Sequence, residues 1–237
     1  MRKRFARRKD LGLAPAEFRV LERLDSPEKI QAYLDRIPQN FEPDGDTALS
    51  IREVLRQRRA HCIEGAMLAA AALWVHGERP LLLDLSAVND YDHVVALFRR
   101  NGCWGAISKT NHYALRYRDP IYRSLRELAI TYFHEYSNRR GRKTLRRYSR
   151  PLDLRSIDPK LWATNGKDCW EVTERLEALP HYPLVTGRQE RTLRRSDDVE
   201  RRAYRLRHHP PPARVRRLWA EKAARRLAAH KRRKRAR

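Results

Sequence analysis

The apolar positions of the 237-residue chain change their spacing along its length. Over residues 10–60 they step by threes and fours, which predicts helices. Ser26-Pro27-Glu28 opens one of them, with a side chain that caps a backbone N–H and then proline at the first helical position. Ile30, Tyr33, Leu34 and Ile37 lie on one face, and Pro38 ends the helix. Residues 42–46 read as a loop, and a second helix is expected from about Thr47 to Arg58. Residues 62–76 are alanine-rich, apolar nearly all round, and followed by Gly77. A helix of that kind is buried on every side.

The period then becomes that of strands. Pro80-Leu-Leu-Leu-Asp-Leu85 and His93-Val-Val-Ala-Leu-Phe98 are apolar on both faces, as strands covered on both sides are. Asn101-Gly102 between apolar runs signals a tight hairpin, so 104–107 should pair back on 93–98. Residues 122–136 read as an amphipathic helix, with Leu125, Leu128, Ala129, Tyr132, Phe133 and Tyr136 on one side. Residues 150–187, punctuated by proline and carrying Trp162, Trp170 and Tyr182, are expected to wrap the core. The class is α/β of the α+β kind: a buried helix against an antiparallel sheet that contains 81–86, 93–99 and 103–107.

Charge divides the chain. Residues 1–9 carry six basic side chains and no acid, and residues 188–237 carry twenty basic and five acidic ones. Residues 10–187 are nearly balanced, with 27 basic and 24 acidic. The expected organisation is a basic arm (1–9), one core domain (10–187) and a basic extension (188–237), helical or partly disordered. In that extension His208-His-Pro-Pro-Pro212 separates two arginine-rich stretches, and Leu218, Trp219 and Leu227 are the apolar residues able to dock. Such charge attracts RNA or another anionic partner through phosphates, or is simply solvated; no base-reading motif accompanies it.

Several classes are excluded. The longest uncharged apolar run, 65–75, is eleven residues, against the ~20 a membrane-spanning helix requires. The opening MRKRFARRKD has no apolar segment after its charges and is not read as a secretory signal. Its nine acid-free residues fit a mitochondrial presequence poorly, since they lack serine. Cys62, Cys103 and Cys169 are far apart, with no C-x-x-C, so neither a metal site nor a cofactor is expected and the count suits a reducing cytoplasm.

Chemistry concentrates at Cys62, in the first turn of the buried helix. The dipole and unpaired N–H groups there favour a thiolate and an oxyanion. His93, at the head of a buried strand, is a candidate general base. The plainer readings are a packed cysteine and a satisfied polar histidine. His61 stands next to the thiol, either tuning it or solvated before the helix. Glu64 suits the dipole of the first turn rather than acid catalysis. Lys109, Asn111 and His112 form a polar loop after the hairpin.

The succession of elements resembles the transglutaminase-like core of the papain-type cysteine fold over roughly residues 46–108. The residues that carry the likeness are Cys62 heading an apolar helix, Gly77 and Pro80 leading into a strand, His93-Val-Val on the next strand, then Asn101-Gly102 and Trp104. The resemblance implies a Cys62–His93 pair acting on an amide or peptide bond, and it makes the 109–112 loop a border of the cleft. It departs from the family where Val95 replaces a tryptophan and where Ser108 occupies the place of the orienting aspartate. Ser108, Asn111 and Asp119 are the candidates to orient His93; Asp92 points to the other face of a regular strand. Two readings follow: a cysteine hydrolase or acyltransferase without cofactor, or a catalytically silent relative whose basic ends bind RNA or an anionic partner.

Overall fold

The computed structural model describes residues 5–138, 140–222 and 224. Four helices come first: α1 (Arg8–Leu11), α2 (Pro15–Arg23), α3 (Pro27–Arg36) and α4 (Ile51–Gln57). Helix α5 (Cys62–Val75) follows and leads into β1 (Leu81–Ala87), β2 (His93–Arg100), β3 (Cys103–Ile107) and β4 (Arg118–Tyr122). After α6 (Leu125–Ile130) come β5 (Leu145–Ser149), β6 (Leu152–Asp153), α7 (Trp170–Glu177) and β7 (His181–Pro183). Helices α8 (Gly187–Arg191) and α9 (Asp198–Ala203) follow, and residues 213–222 are helical.

The sheet is antiparallel, in the order β4-β3-β2-β1-β5-β7, with β6 also on β1. β2 and β3 are neighbours, with Phe98 opposite Gly105. Both faces of the sheet are covered, which explains the unbroken apolar runs of β1 and β2. On one face Leu82, Val94, Ala96, Phe98 and Ile107 join the core built around α5. On the other, Leu83, Val95, Leu97 and Ala106 meet Leu128, Ala129, Tyr132 and Phe133. The alanines of α5 let it lie close to the sheet while buried from Ile63 to Trp74. Close approach recurs at Gly65, where a Cβ would stand 2.4 Å from Lys109 Cβ.

Three local departures from the sequence pattern have physical causes. Helix α4 begins at Ile51 and not near Thr47 because three consecutive N–H groups go to carboxylates. Thr47 N–H donates to Glu42, Ala48 N–H to Asp168 and Leu49 N–H to Glu64, at 2.7–2.9 Å. Tyr122 ends a strand, and α6 is only Leu125–Ile130. Beyond it the N–H groups of Thr131, Tyr132 and Phe133 reach back three residues. The tightened turns still point Tyr132, Phe133 and Tyr136 into the core. β4 contains Pro120, which the outermost strand of a sheet tolerates.

The expected boundaries at 9/10 and 187/188 fall inside α1 and α8. Ala6 is buried and donates its N–H to Trp74 O. The described part of the basic extension is docked as well. Val215 is buried, Trp219 meets Phe41 edge-on at 5.9 Å, and Lys143–Glu200 and Arg146–Glu190 are ion pairs. Leu227 and the terminal basic run lie outside the described residues. Among the described residues no helix is long and apolar enough to cross a membrane.

Candidate active site

The N-terminus of α5 is held by a buried carboxylate. Glu64 is fully buried on the first helical turn and accepts the His61 N–H at 2.8 Å, closing the turn from within. It also accepts Leu49 N–H at 2.9 Å, Thr47 Oγ1 at 2.9 Å and Asn40 Nδ2 at 3.0 Å. So many donors make the ionised form the stable one: burial works against it, but the bonds from His61 and the backbone prevail and hold Glu64 below the ordinary carboxylate range. Its role is thus structural and electrostatic, more than that of a residue favoured by the helix dipole.

This hub fixes His61, whose side chain is only 14% exposed. Its Nε2 lies 2.9 Å from Thr47 O, 3.2 Å from Glu64 Oε1 and 3.4 Å from Glu42 Oε1. A carbonyl only accepts, so Nε2 carries a proton. The other ring nitrogen, Nδ1, faces Cys62 Sγ at 3.8 Å. Burial disfavours the imidazolium, yet Cys62 and Glu64 together raise His61 well above its ordinary value.

His93 approaches the same thiol from the head of β2. Its Nε2 is 2.8 Å from Ser108 Oγ, and that hydroxyl donates its own proton to Leu115 O. Ser108 Oγ therefore accepts the Nε2–H, and Nδ1 of the neutral ring is left as the unprotonated nitrogen. Ser108 is itself fixed at both backbone atoms by the Gln31 amide, at 2.9 Å each. Cys62 is half-buried. Burial opposes its ionisation, but hydrogen bonds and positive charge from His61 and His93 overcome this and hold the thiol well below its ordinary value. Cys169, buried without such partners, is instead pushed up to about 12.

The remaining candidates are elsewhere. Asn111 spends its amide on His209, accepting that residue's N–H at 2.7 Å and donating to its carbonyl at 3.0 Å. Asp119 is exposed on β4. Neither orients His93. Lys109 does not contact the cleft as a substrate ligand would: it is 1% exposed and its ammonium caps the end of α3, donating to Leu34 O and Ile37 O. Burial lowers Lys109 to about 8.

One buried pair had no signal in the sequence. His181 of β7 and Asp84 of β1 lie 3.1 Å apart, nearly a hundred positions distant in the chain. Neither spacing nor motif links them; only the placing of β5 between their strands does. Among the described residues no group of three His, Cys, Asp or Glu is arranged to hold a metal ion. A cavity of about 640 Å³ opens at the other end of the sheet, by Leu81, Trp104, Arg150 and Arg175, and includes neither Cys62 nor His93.

No protein-family model matches the chain, and no curated protein matches it.

Proposed function

We propose that the chain is a cysteine hydrolase or acyltransferase that attacks an amide, peptide or ester carbonyl through Cys62, with His93 as proton carrier. The observation that carries this reading is the fixed tautomer of His93: Ser108 accepts the Nε2–H, which leaves Nδ1 unprotonated, and His93 is a hydrogen-bond partner of the Cys62 thiol. A thiol at a helix start, held well below its ordinary pKa by two histidines, is a second support. The order of elements, which resembles the transglutaminase-like core, agrees with it.

In the reaction so drawn, the Cys62 proton resides on His93 before attack, and the thiolate forms a bond to the carbonyl carbon as the carbonyl oxygen takes up the negative charge. The oxyanion is met by first-turn N–H groups of α5, which lack intrahelical acceptors. His93 returns the proton to the leaving amine or alcohol as the C–N or C–O bond breaks, leaving a thioester on Cys62. Water, or an acceptor amine, then adds to the thioester while His93 takes its proton, and the thiol is released. Ser108 orients the imidazolium but lacks the charge of a carboxylate. The carboxylates in this site stand behind His61, where they stabilise a second positive ring beside the sulfur.

The test is acyl trapping. The full chain is mixed with an activated acyl ester and the adduct is located by peptide mass spectrometry. A thioester on Cys62, absent in Cys62→Ala and slowed in His93→Ala, is the expected result. Acylation that falls on other side chains, or that His93→Ala leaves unchanged, contradicts the reading.

A further inference from the structure

Residues 204–219 of the basic extension run as a strap along the rim of the site. Beyond α9, Tyr204 packs on His112 with the rings tilted and their centroids 4.8 Å apart. His112 pairs with Arg207 as an antiparallel bridge, and Asn111 O accepts the His208 N–H at 2.9 Å. The Asn111 amide then grips both backbone groups of His209. The His209 ring donates to Asp35 O at 2.9 Å. Further on, Arg214 pairs with Asp44 at 3.0 Å and Trp219 meets Phe41.

Two properties of this contact bear on function. First, residues 207–209 are recognised mainly through their backbone, the way an added strand is recognised, with neighbouring side chains selecting charge and shape. Second, the two borders it bridges both belong to the site. One is the loop that follows Ser108. The other is the 40–47 loop, whose Asn40, Glu42 and Thr47 hold Glu64 and His61. His112 registers this closeness: burial first, then Arg207, and also His93, lower it to about 4.

We propose that this rim is the docking groove for a basic peptide segment, extended where it crosses Asn111 and helical where it reaches Asp44 and Phe41, and that in the resting chain it is filled by the protein's own residues 204–219. Asn111 reads the peptide backbone, Asp44 reads an arginine, and Phe41 receives an aromatic side chain. The proposal rests on the cysteine-hydrolase reading for what happens to the docked peptide, but binding itself needs no Cys62 chemistry. The strap then competes with a peptide in trans, and loosening it exposes the groove.

The experiment uses full-length Cys62→Ser protein, so that failure of the chemistry leaves the binding result intact. The probe is a fluorescent synthetic peptide with the sequence of residues 204–219. Arg214→Glu with Trp219→Ala removes two strap anchors, and limited proteolysis in the 204–219 region reports release. The released form should bind the probe about tenfold more tightly than the parent, because a larger fraction of the molecules has an open groove. Adding Asn111→Ala, or Asp44→Asn as a milder change, should reverse that gain. The proposal is overturned by equal affinity for parent and released forms, by equal affinity for a scrambled peptide of the same composition, or by a strap that stays protected in the double variant.

Discussion

Ser108 accepts from His93 Nε2 at 2.8 Å while donating its own proton to Leu115 O. The hydroxyl thus has a fixed sense, and a neutral side chain does the orienting work without the charge. Ser108→Ala removes the acceptor and frees the ring to rotate or change tautomer. The acylation rate of Cys62 should fall by about an order of magnitude, equivalent to ~1.4 kcal/mol, a typical value for one buried hydrogen bond. Stopped-flow acylation against pH separates this from a general structural loss. Ser108→Ala should lower the plateau and alter the profile, whereas Gln31→Ala, one bond further away, should have the smaller effect.

The helix that carries Cys62 is seated by contact between Gly65 and Lys109. A methyl group at residue 65 meets Lys109 Cβ at 2.4 Å, and that atom is anchored by a buried ammonium bonded to two carbonyls. Neither side yields cheaply. Gly65→Ala should therefore cost about 1–3 kcal/mol of stability despite the better helix propensity of alanine, as overpacking does. Denaturant unfolding measures it; a stabilised Gly65→Ala protein would contradict the packing described.

Asp84 gives a pH dependence with a definite sign. Burial, then the charge of Asp92, push it up to about 6, with His181 pulling the other way. The unfolded chain releases that proton near the ordinary aspartate value of about 4. Between the two the native state binds more protons, so this group's contribution to stability is present at low pH and lost as pH rises through about 6. Asp84→Asn has no such titration. Its stability relative to the parent should climb between about pH 4 and pH 6 and then level off, as read by urea unfolding at a series of pH values. A difference that stays flat across that window would contradict the assignment.

The sequence announces the framework of the site better than its details. The buried helix at Cys62 and the two doubly covered strands stand out because each is an apolar run with one period. The hairpin stands out through Asn101-Gly102. β5 does not, because Leu145-Arg-Arg-Tyr-Ser149 shows no apolar face, and β4 is hidden by Pro120. The orienting role of Ser108 was one of three options by position; choosing among them needs the rotation of the hydroxyl toward Leu115. The use of Asn111 by the strap and of Lys109 as the cap of α3 depends on partners 98 and more than 70 residues away. His61 is visible beside Cys62, but its role comes from Glu42, Thr47 and Glu64 converging behind it, and no linear spacing displays that convergence. Trp219 is legible in the sequence as a residue able to dock the basic extension, whereas Ala6 and Val215 are not, because a small apolar side chain among charges gives no periodic signal; a few such contacts dock a charged segment whose arginines stay in water.

Cys62 is held well below the ordinary thiol value by hydrogen bonds and positive charge from His61 and His93. The most direct measurement is the rate of Cys62 carboxymethylation against pH in the full chain carrying Cys103→Ser, with Cys169 buried and unreactive. The expected profile has an inflection well below the ordinary thiol value of about 8.5, moved upward by His93→Ala and separately by His61→Ala. An inflection at the ordinary value, unmoved by either substitution, would contradict it.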